Sequence, residues 1–390
     1  MLGNFKYANP TTVYFGEESL THLASELRKY GKTIMLVYGE GSIKKNGIYD
    51  DVIEILRSEN KDVVELAGVM SNPTMKKVYE GIKVAKKHNV DFILAVGAGS
   101  VCDYAKAVSI STHFDGNPWE TFFIKEEEPT NKIIPVGCIP TMAGTGSEMN
   151  AGIVITNTEE NLKVGPIFGE NVMPKFAIMN PRYTFTVPKY QVVSGIFDTM
   201  CHLMEQYFTG HDDNTSDYVA EGLMRSLIHS SRVILDDWQN YEARSNIMWT
   251  STLAMNTLTE MGKHPDWMVH MIGQSIGAYT DAAHGMTLSA VAIPYYRYIM
   301  PYGLDKFKRF AMNVWNVDSN NKSDEDVACE GLTLMRQWMV ELGLVLNPKE
   351  LGVSEDMLDD IAEGTFILDG GYKKLSKDEI IMILKEAMLE

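Results

Sequence analysis

Four side chains of the types that bind transition metals lie in the second half of this 390-residue chain. Asp198 and His202 are four residues apart in an apolar-periodic stretch, so a helix there would carry both side chains on one face. His270 and His284 follow downstream. Three imidazoles and one carboxylate are a ligand set typical of a divalent transition metal. If the four side chains converge, the sequence predicts a metalloenzyme.

A plainer interpretation of the same residues remains open. An Asp–His pair at this spacing is common on helix surfaces, and a buried histidine is often a hydrogen-bonded core residue. His270 and His284 would lie roughly 21 Å apart on one unbroken helix, too far to share an ion. Gly277 stands between them. It predicts that the first helix ends there and that the next element presents His284.

Two turns in the first half are suited to binding phosphate. Gly97-Ala98-Gly99-Ser100 follows an apolar run and opens a predicted helix that carries Asp103. Small residues let the backbone approach a pyrophosphate, and a helix N-terminus offers free N–H groups. A second turn follows the next strand, with Thr141, Met142, Thr145 and Ser147. Its hydroxyls could bind cofactor oxygens or cap a helix. Two such turns after neighbouring strands favour a nucleotide site.

A third loop, Gly39-Glu40-Gly41-Ser42, follows an earlier apolar run. In dinucleotide-binding folds an acidic residue at this place accepts a hydrogen bond from the ribose 2′-hydroxyl and repels a 2′-phosphate. Glu40 therefore favours NAD over NADP, with a solvated loop acid as the alternative.

The elements that must position these residues change type along the chain. In the first half, apolar runs alternate with helical stretches, which predicts a parallel sheet covered on both faces. The predicted strands are Thr12–Phe15, Thr33–Tyr38, Asp62–Leu66, Phe92–Val96 and Ile133–Pro140. After Pro188 the pattern is helical throughout, with helices expected over 189–210, 215–238, 240–262, 264–278, 285–300, 303–315, 323–343 and 376–389. We therefore expect an α/β domain over 1–185 and an all-α domain over 186–390.

Composition limits the class of partner. The chain has 52 acidic and 35 basic residues and a net charge of −17, which argues against nucleic acid and anionic membranes as partners. It contains four cysteines without CxxC spacing, no signal-peptide pattern and no apolar run of 18 residues. We expect a cytoplasmic protein with reduced thiols that handles a small molecule.

Taken in order, these motifs resemble the iron-containing (group III) alcohol dehydrogenases, and within them the butanol dehydrogenase branch. The resemblance rests on the two phosphate-type turns, Asp198-xxx-His202, His270 and His284-Gly285, and on Tyr183-Thr-Phe-Thr-Val-Pro and Tyr241-Glu-Ala-Arg. It covers the chain from about residue 5 to the C-terminus.

The resemblance implies a Rossmann-like domain followed by a helical domain, in a dehydroquinate-synthase-like fold. It implies a metal, Fe²⁺ or Zn²⁺, held by Asp198, His202, His270 and His284. It also implies hydride transfer between NAD(P)H and an alcohol or aldehyde carbon, a cofactor contact from Lys163, and commonly a homodimer.

The sequence departs from the family pattern at three positions. Ala98 stands in a turn that usually has three glycines, and Glu40 stands where the branch usually has glycine. Gln274 occupies a position that is often histidine. Because glutamine cannot titrate, we expect proton release through the cofactor ribose and water, with His264 as the alternative base.

Two other functions are alternatives to this one. A sugar-phosphate cyclase on the same fold would need a cluster of basic residues for its substrate, but the segment 262–284 contains only Lys263. A nucleotide-binding protein with a degenerate site would account for Gln274 and Ala98, but the intact metal-ligand set opposes it.

Overall fold

The computed structural model describes residues 2–390 and divides the chain into two compact units. One unit comprises Ala8–Val187. The other combines the residues up to Tyr7 with Pro188–Glu390. The first unit is α/β and the second is helical, so the predicted fold class is confirmed.

A six-stranded parallel sheet forms the centre of the α/β unit, with the strand order β1-β8-β5-β4-β2-β3. Its interior strands are almost entirely buried, which explains their continuous apolar runs. The eight strands of the unit are β1 Thr12–Phe15, β2 Thr33–Tyr38, β3 Asp62–Leu66, β4 Phe92–Gly97, β5 Val136–Pro140, β6 Ile155–Asn157, β7 Leu162–Val164 and β8 Phe176–Met179.

Helices cover the sheet and bury an apolar cluster on each side of it. They are α1 Leu23–Leu27, α2 Ser42–Lys45, α3 Ile48–Ser58, α4 Met75–His88 and α5 Gly99–Ser111. Strands β6 and β7 form a separate antiparallel pair. The sequence patterns did not identify β6, β7 or β8, because runs of three or four residues are too short to show a period.

The helical unit contains nine α-helices among the described residues. They are α6 Lys189–Tyr207, α7 Thr215–Asp236, α8 Tyr241–Ala254, α9 Met268–Thr280, α10 His284–Ile299, α11 Leu304–Trp315, α12 Asp324–Leu342, α13 Leu358–Glu363 and α14 Lys377–Ala387. None of the helices in residues 2–390 combines the length and apolar character that crossing a membrane requires.

Two predicted helix boundaries near the site were wrong. Helix α8 ends at Ala254 rather than 262, because the Asn256 side chain accepts a hydrogen bond from the Leu258 N–H and Thr257 has φ +75°. Helix α9 begins at Met268 rather than 264, after Trp267 in a left-handed conformation. The irregular segment between them, residues 255–267, packs against the end of α6.

Candidate active site

Helix α6 supplies a polar stripe within an otherwise apolar face. Asp198, His202 and Glu205 follow one another at spacings of four and three residues, which places them on one side of the helix. All three are buried. The stripe is therefore directed into the protein, where an uncompensated carboxylate is costly and needs a counter-charge or a metal.

A short link between two helices brings the downstream histidines together. Helix α9 ends at Thr280 and α10 begins at His284, so the predicted break between His270 and His284 is present, three residues later than Gly277. Gly285 packs against the backbone of α6, where a Cβ would lie 1.9 Å from the Ser194 carbonyl oxygen. This close approach holds the start of α10 against α6, where His284 Nε2 lies 3.7 Å from Asp198 Oδ1.

The four candidate ligands converge on one carboxylate oxygen. Asp198 Oδ1 lies 3.5 Å from His202 Nε2, 3.5 Å from His270 Nε2 and 3.7 Å from His284 Nε2. The tightest group is Asp198, His202 and His270, whose ligand atoms all lie within 4.8 Å of one another. The His284 side chain is 24% exposed, whereas the other three are 4–7% exposed, so the site opens to solvent on the His284 side.

These residues fit a divalent metal. Ligands about 2.0–2.1 Å from a tetrahedral ion lie about 3.4 Å apart, close to the separations from Asp198 Oδ1. Among residues 2–390, the buried atoms Asp198 Oδ1 and His270 Nε2 have no hydrogen-bond partner, although both face the centre of the group. Buried polar atoms of this kind require an explanation, and a cation among them provides one.

The charges of the cluster shift the ionisation of its members. Burial alone would raise the pKa of Asp198, but the surrounding imidazoles hold that pKa well below its usual range. Burial lowers the pKa of His202 to about 4, so this imidazole is neutral at pH 7. Burial also disfavours charge on His270, but the carboxylates of Glu205 and Asp198 outweigh it and raise the pKa of His270 to about 9. A bound cation would replace the His270 proton.

Sequence reasoning missed Glu205. Its Oε2 is hydrogen-bonded to His270 Nδ1, and its Oε1 accepts from the backbone N–H of Val269 at 2.7 Å and of His270 at 3.1 Å. The stripe at positions 198, 202 and 205 was the signal that could have identified it. Trp267 is a neighbour of the site, and its ring lies edge-on to His202 and His270.

The loops after β4 and β5 lie against each other in the α/β unit. The Thr141 N–H donates to the Gly97 carbonyl at 3.0 Å. A Cβ on Gly99 would lie 2.1 Å from Thr145 Oγ1, so only glycine allows this approach. Ala98 has φ −73°, an ordinary conformation for alanine. Helix α5 begins at Gly99, and the first N–H groups of that helix lie in this loop pair.

Two of the predicted cofactor residues bond to each other inside these loops. Ser147 Oγ donates to Asp103 Oδ1 at 2.5 Å, and the Val154 N–H donates to Asp103 Oδ2 at 3.0 Å. Lys106, fully buried, donates to the carbonyls of Ser147 at 3.1 Å and of Gly152. This network fixes the shape of the loop after β5. Met142 is half-buried in that loop.

The loops after β2 and β3 lie at the same end of the sheet, where the strands have their carboxyl ends. Glu40 is exposed, and Gly41 adopts φ +109° at the start of α2, with Ser42 as the first residue of that helix. The Gly39 carbonyl accepts from the Gly68 N–H at 3.1 Å, which ties the two loops together.

Lys163, which belongs to β7, lies beside the loop after β3 at this end of the sheet. It is buried, and its Nζ donates to Asn72 Oδ1 at 2.8 Å. Ser100 Oγ donates to the neighbouring Ser71 carbonyl. The predicted cofactor residues thus come from one group of loops at the carboxyl ends of β2, β4 and β5, joined by the residue on β7.

Gln274 and His264, the residues that bear on proton transfer, lie in different surroundings. Gln274 is buried in α9, one turn after His270. His264 is exposed and lines a cavity of about 480 Å³ beside Asn4, His211 and Lys263. None of the four candidate metal ligands lines that cavity.

Comparison with known proteins extends over almost the whole chain. The family model described as iron-containing alcohol dehydrogenase matches residues 10–181, and the model for the C-terminal part of the Fe-containing alcohol dehydrogenase family matches residues 192–388. The chain is 38% identical to the probable NADH-dependent butanol dehydrogenase 1 of Bacillus subtilis (strain 168), over 99% of the chain and 100% of that protein.

Two further relatives also match most of the chain. The NADPH-dependent aldehyde reductase of Escherichia coli (strain K12) is 32% identical over 90% of each chain. The crystal structure of NADH-dependent butanol dehydrogenase A from Thermotoga maritima matches with a TM-score of 0.94, at 32% identity and over 99% of both chains.

Proposed function

Because the chain belongs to the iron-containing alcohol dehydrogenase family, we propose that it is an NADH-linked, metal-dependent enzyme that interconverts short- or medium-chain primary alcohols and aldehydes. The observation that carries this proposal is the convergence of three imidazole Nε2 atoms on one buried carboxylate oxygen at 3.5–3.7 Å. Few arrangements other than a metal centre bring four such groups together inside a protein.

Asp198, His202, His270 and His284 would hold the metal, which is Fe²⁺ or Zn²⁺. A divalent ion there supplies a Lewis acid that polarises an aldehyde carbonyl and acidifies an alcohol hydroxyl. Asp198 offsets part of the positive charge, and the more exposed side at His284 leaves room for a substrate oxygen.

The loops of the α/β unit would hold the nicotinamide cofactor. The N-terminus of α5 at Gly99 offers N–H groups and a positive dipole end to the pyrophosphate. Thr145, which lies against Gly99, would face the same group. Glu40 supports a preference for NAD, because it is exposed beside Gly41 and would repel a 2′-phosphate.

The proton of the alcohol would leave through the cofactor ribose and water. Gln274, which cannot titrate, is the residue one turn after His270, so α9 offers no side-chain base there. The position of His264 in a cavity without any candidate ligand also supports a solvent route.

Oxidation of NADH at 340 nm with butanal as substrate tests the proposal. We expect turnover with NADH above that with NADPH, its loss after chelation, and its recovery when Fe²⁺ or Zn²⁺ is returned. Absence of turnover with every aldehyde, alcohol and polyol tried, in metal-loaded protein, would remove the assignment.

We also propose that the protein is a cytoplasmic homodimer. Strand β1 stands at the end of the sheet with Thr12 and Phe15 exposed, and such an edge is a ready surface for a second copy. Light scattering coupled to size-exclusion chromatography checks the mass, and a monomer at micromolar concentration would contradict the proposal.

A further inference from the structure

Helix α9 lacks a capping side chain of its own. It begins at Met268 after Trp267, and the side chain of Trp267 makes no capping hydrogen bond. Glu205, which belongs to α6, takes this place by accepting from the Val269 and His270 N–H groups through Oε1. Its other oxygen is hydrogen-bonded to the ring of His270 at Nδ1.

A carboxylate can accept on both oxygens, and it has no proton to give. Facing Glu205 Oε2, His270 Nδ1 must therefore be the donor and must carry the proton. Once a cation has replaced the second proton of the ring, the lone pair is on Nε2, the atom that lies 3.5 Å from Asp198 Oδ1. A histidine can bind a metal through Nε2 only with its ring in this state.

We propose that Glu205 is the positioning residue that fixes the tautomer of His270 and so makes its Nε2 available to the metal. The inference rests on the proposed metal site. It means that α6 provides Asp198 and His202 directly and holds a third ligand through Glu205, which is completely buried. Glu205 itself does not face the centre of the site.

The amide of Glu205→Gln cannot replace the carboxylate in both roles, because it has only one oxygen to accept hydrogen bonds from the backbone and from His270. One oxygen is enough for the two backbone N–H groups, but the NH₂ group would then face His270 Nδ1. Backbone N–H groups cannot change from donor to acceptor, whereas an imidazole can move its proton from one nitrogen to the other. We therefore expect the amide oxygen to stay with the backbone and the His270 proton to move to Nε2.

The test begins with Zn²⁺ affinity, measured by competition with a chelator on the full chain. We expect Glu205→Gln to bind Zn²⁺ about 10–100-fold more weakly than the wild type, the range found when partners of a metal-bound histidine are removed. Glu260→Gln, the same change at a carboxylate outside the site, is the control and should bind like the wild type. Equal affinity of Glu205→Gln and wild type would overturn the inference.

A nuclear magnetic resonance measurement separates tautomer control from a purely structural role. The measurement uses metal-free protein labelled with ¹⁵N-histidine, at a pH above about 9, where the His270 ring is neutral. Nδ1 of His270 should be protonated in the wild type and unprotonated in Glu205→Gln, with His270→Ala used to assign the signals. A protonated Nδ1 in the variant would contradict the inference, as would an unfolded variant, because Glu205 would then act chiefly as a helix cap.

A double-mutant cycle shows whether Glu205 acts through His270. In a His270→Ala background, Glu205→Gln should leave the remaining Zn²⁺ affinity unchanged within about twofold, since sites without a shared partner are additive. A further large loss would mean that Glu205 acts elsewhere. If the wild type itself binds no metal, the proposed function fails, but the tautomer is still measured in the metal-free protein.

Discussion

At the scale of single residues, the chemistry of this site depends on which atoms face one another. Asp198 Oδ1 is the shared neighbour of three Nε2 atoms. Glu205 is hydrogen-bonded to the ring of His270, and Trp267 lies edge-on to the rings of His202 and His270. The residue types could be recognised in the sequence, but the facing atoms could not, because they depend on the angles between α6, α9 and α10.

Glu40 provides a test of cofactor preference. Replacing it by serine removes one negative charge near the expected position of a 2′-phosphate, and a charge pair at this distance is worth about 1 kcal/mol or more. We expect Glu40→Ser to raise kcat/KM with NADPH about tenfold relative to NADH. Asp115→Ser, an exposed acid beyond the other end of α5, is the matched control. An unchanged ratio would show that Glu40 does not select the cofactor.

Glu260 provides a test of stability against pH. Burial raises its pKa from 4.5 to about 7, so between these values the folded protein keeps a proton that the unfolded chain has lost. The free energy of unfolding therefore contains a contribution that falls as pH rises from about 4.5 to 7.

The side chain of Glu260→Gln cannot ionise. The free energy of unfolding of this variant, relative to that of the wild type, should therefore rise by about 1–3 kcal/mol between pH 4.5 and pH 8. Urea unfolding at the two pH values measures this gain, with the exposed Glu355→Gln as control. A stability difference that does not change with pH would contradict the expected burial of the carboxyl.

At the scale of elements, the position of α10 depends on Gly285. A Cβ at this residue would lie 1.9 Å from the Ser194 carbonyl oxygen, so the two helices must move apart to accept a side chain. Such overpacking costs about 1–3 kcal/mol. We expect Gly285→Ala to lower both the melting temperature and the Zn²⁺ affinity, because His284 moves with the helix.

Gly222→Ala in α7 is the matched control for Gly285→Ala. Beyond its own helix backbone, no heavy atom of the described part of the chain lies within 4 Å of the Cβ that this change would add. The change should therefore be neutral or stabilising, as for glycine to alanine in an open helix. The two variants are compared by thermal unfolding and chelator competition. A Gly285→Ala protein that binds Zn²⁺ like the wild type would show that α10 tolerates displacement.

The elements around the site were largely predictable from the sequence. The apolar runs that became β2 and β4 and the periodic stretch that became α6 are long enough to show their period. The segment 255–267 was not predictable. Its conformation is set by Thr257 and Trp267 at positive φ and by contacts with α6, which local sequence does not encode.

At the scale of the whole molecule, the two units carry different parts of the proposed reaction. All four candidate metal ligands belong to the unit Pro188–Glu390, and all predicted cofactor residues belong to Ala8–Val187. Asp198→Asn should therefore lose metal and turnover while binding NADH within about twofold of the wild type. Titration of NADH fluorescence measures this, and a tenfold weaker affinity would show that metal and cofactor sites are coupled.

The pairing of distant segments also dictates an order of events during synthesis. Strand β1 pairs with β8, whose residues are made about 160 positions later, and the Gly3 N–H donates to the Gly262 carbonyl at 2.8 Å. At ~5–20 residues per second, Gly3 waits between about 13 and 50 s for its partner to be made. The pairing of Gly3 and of β1 with these partners must therefore wait until the later segments have been synthesised.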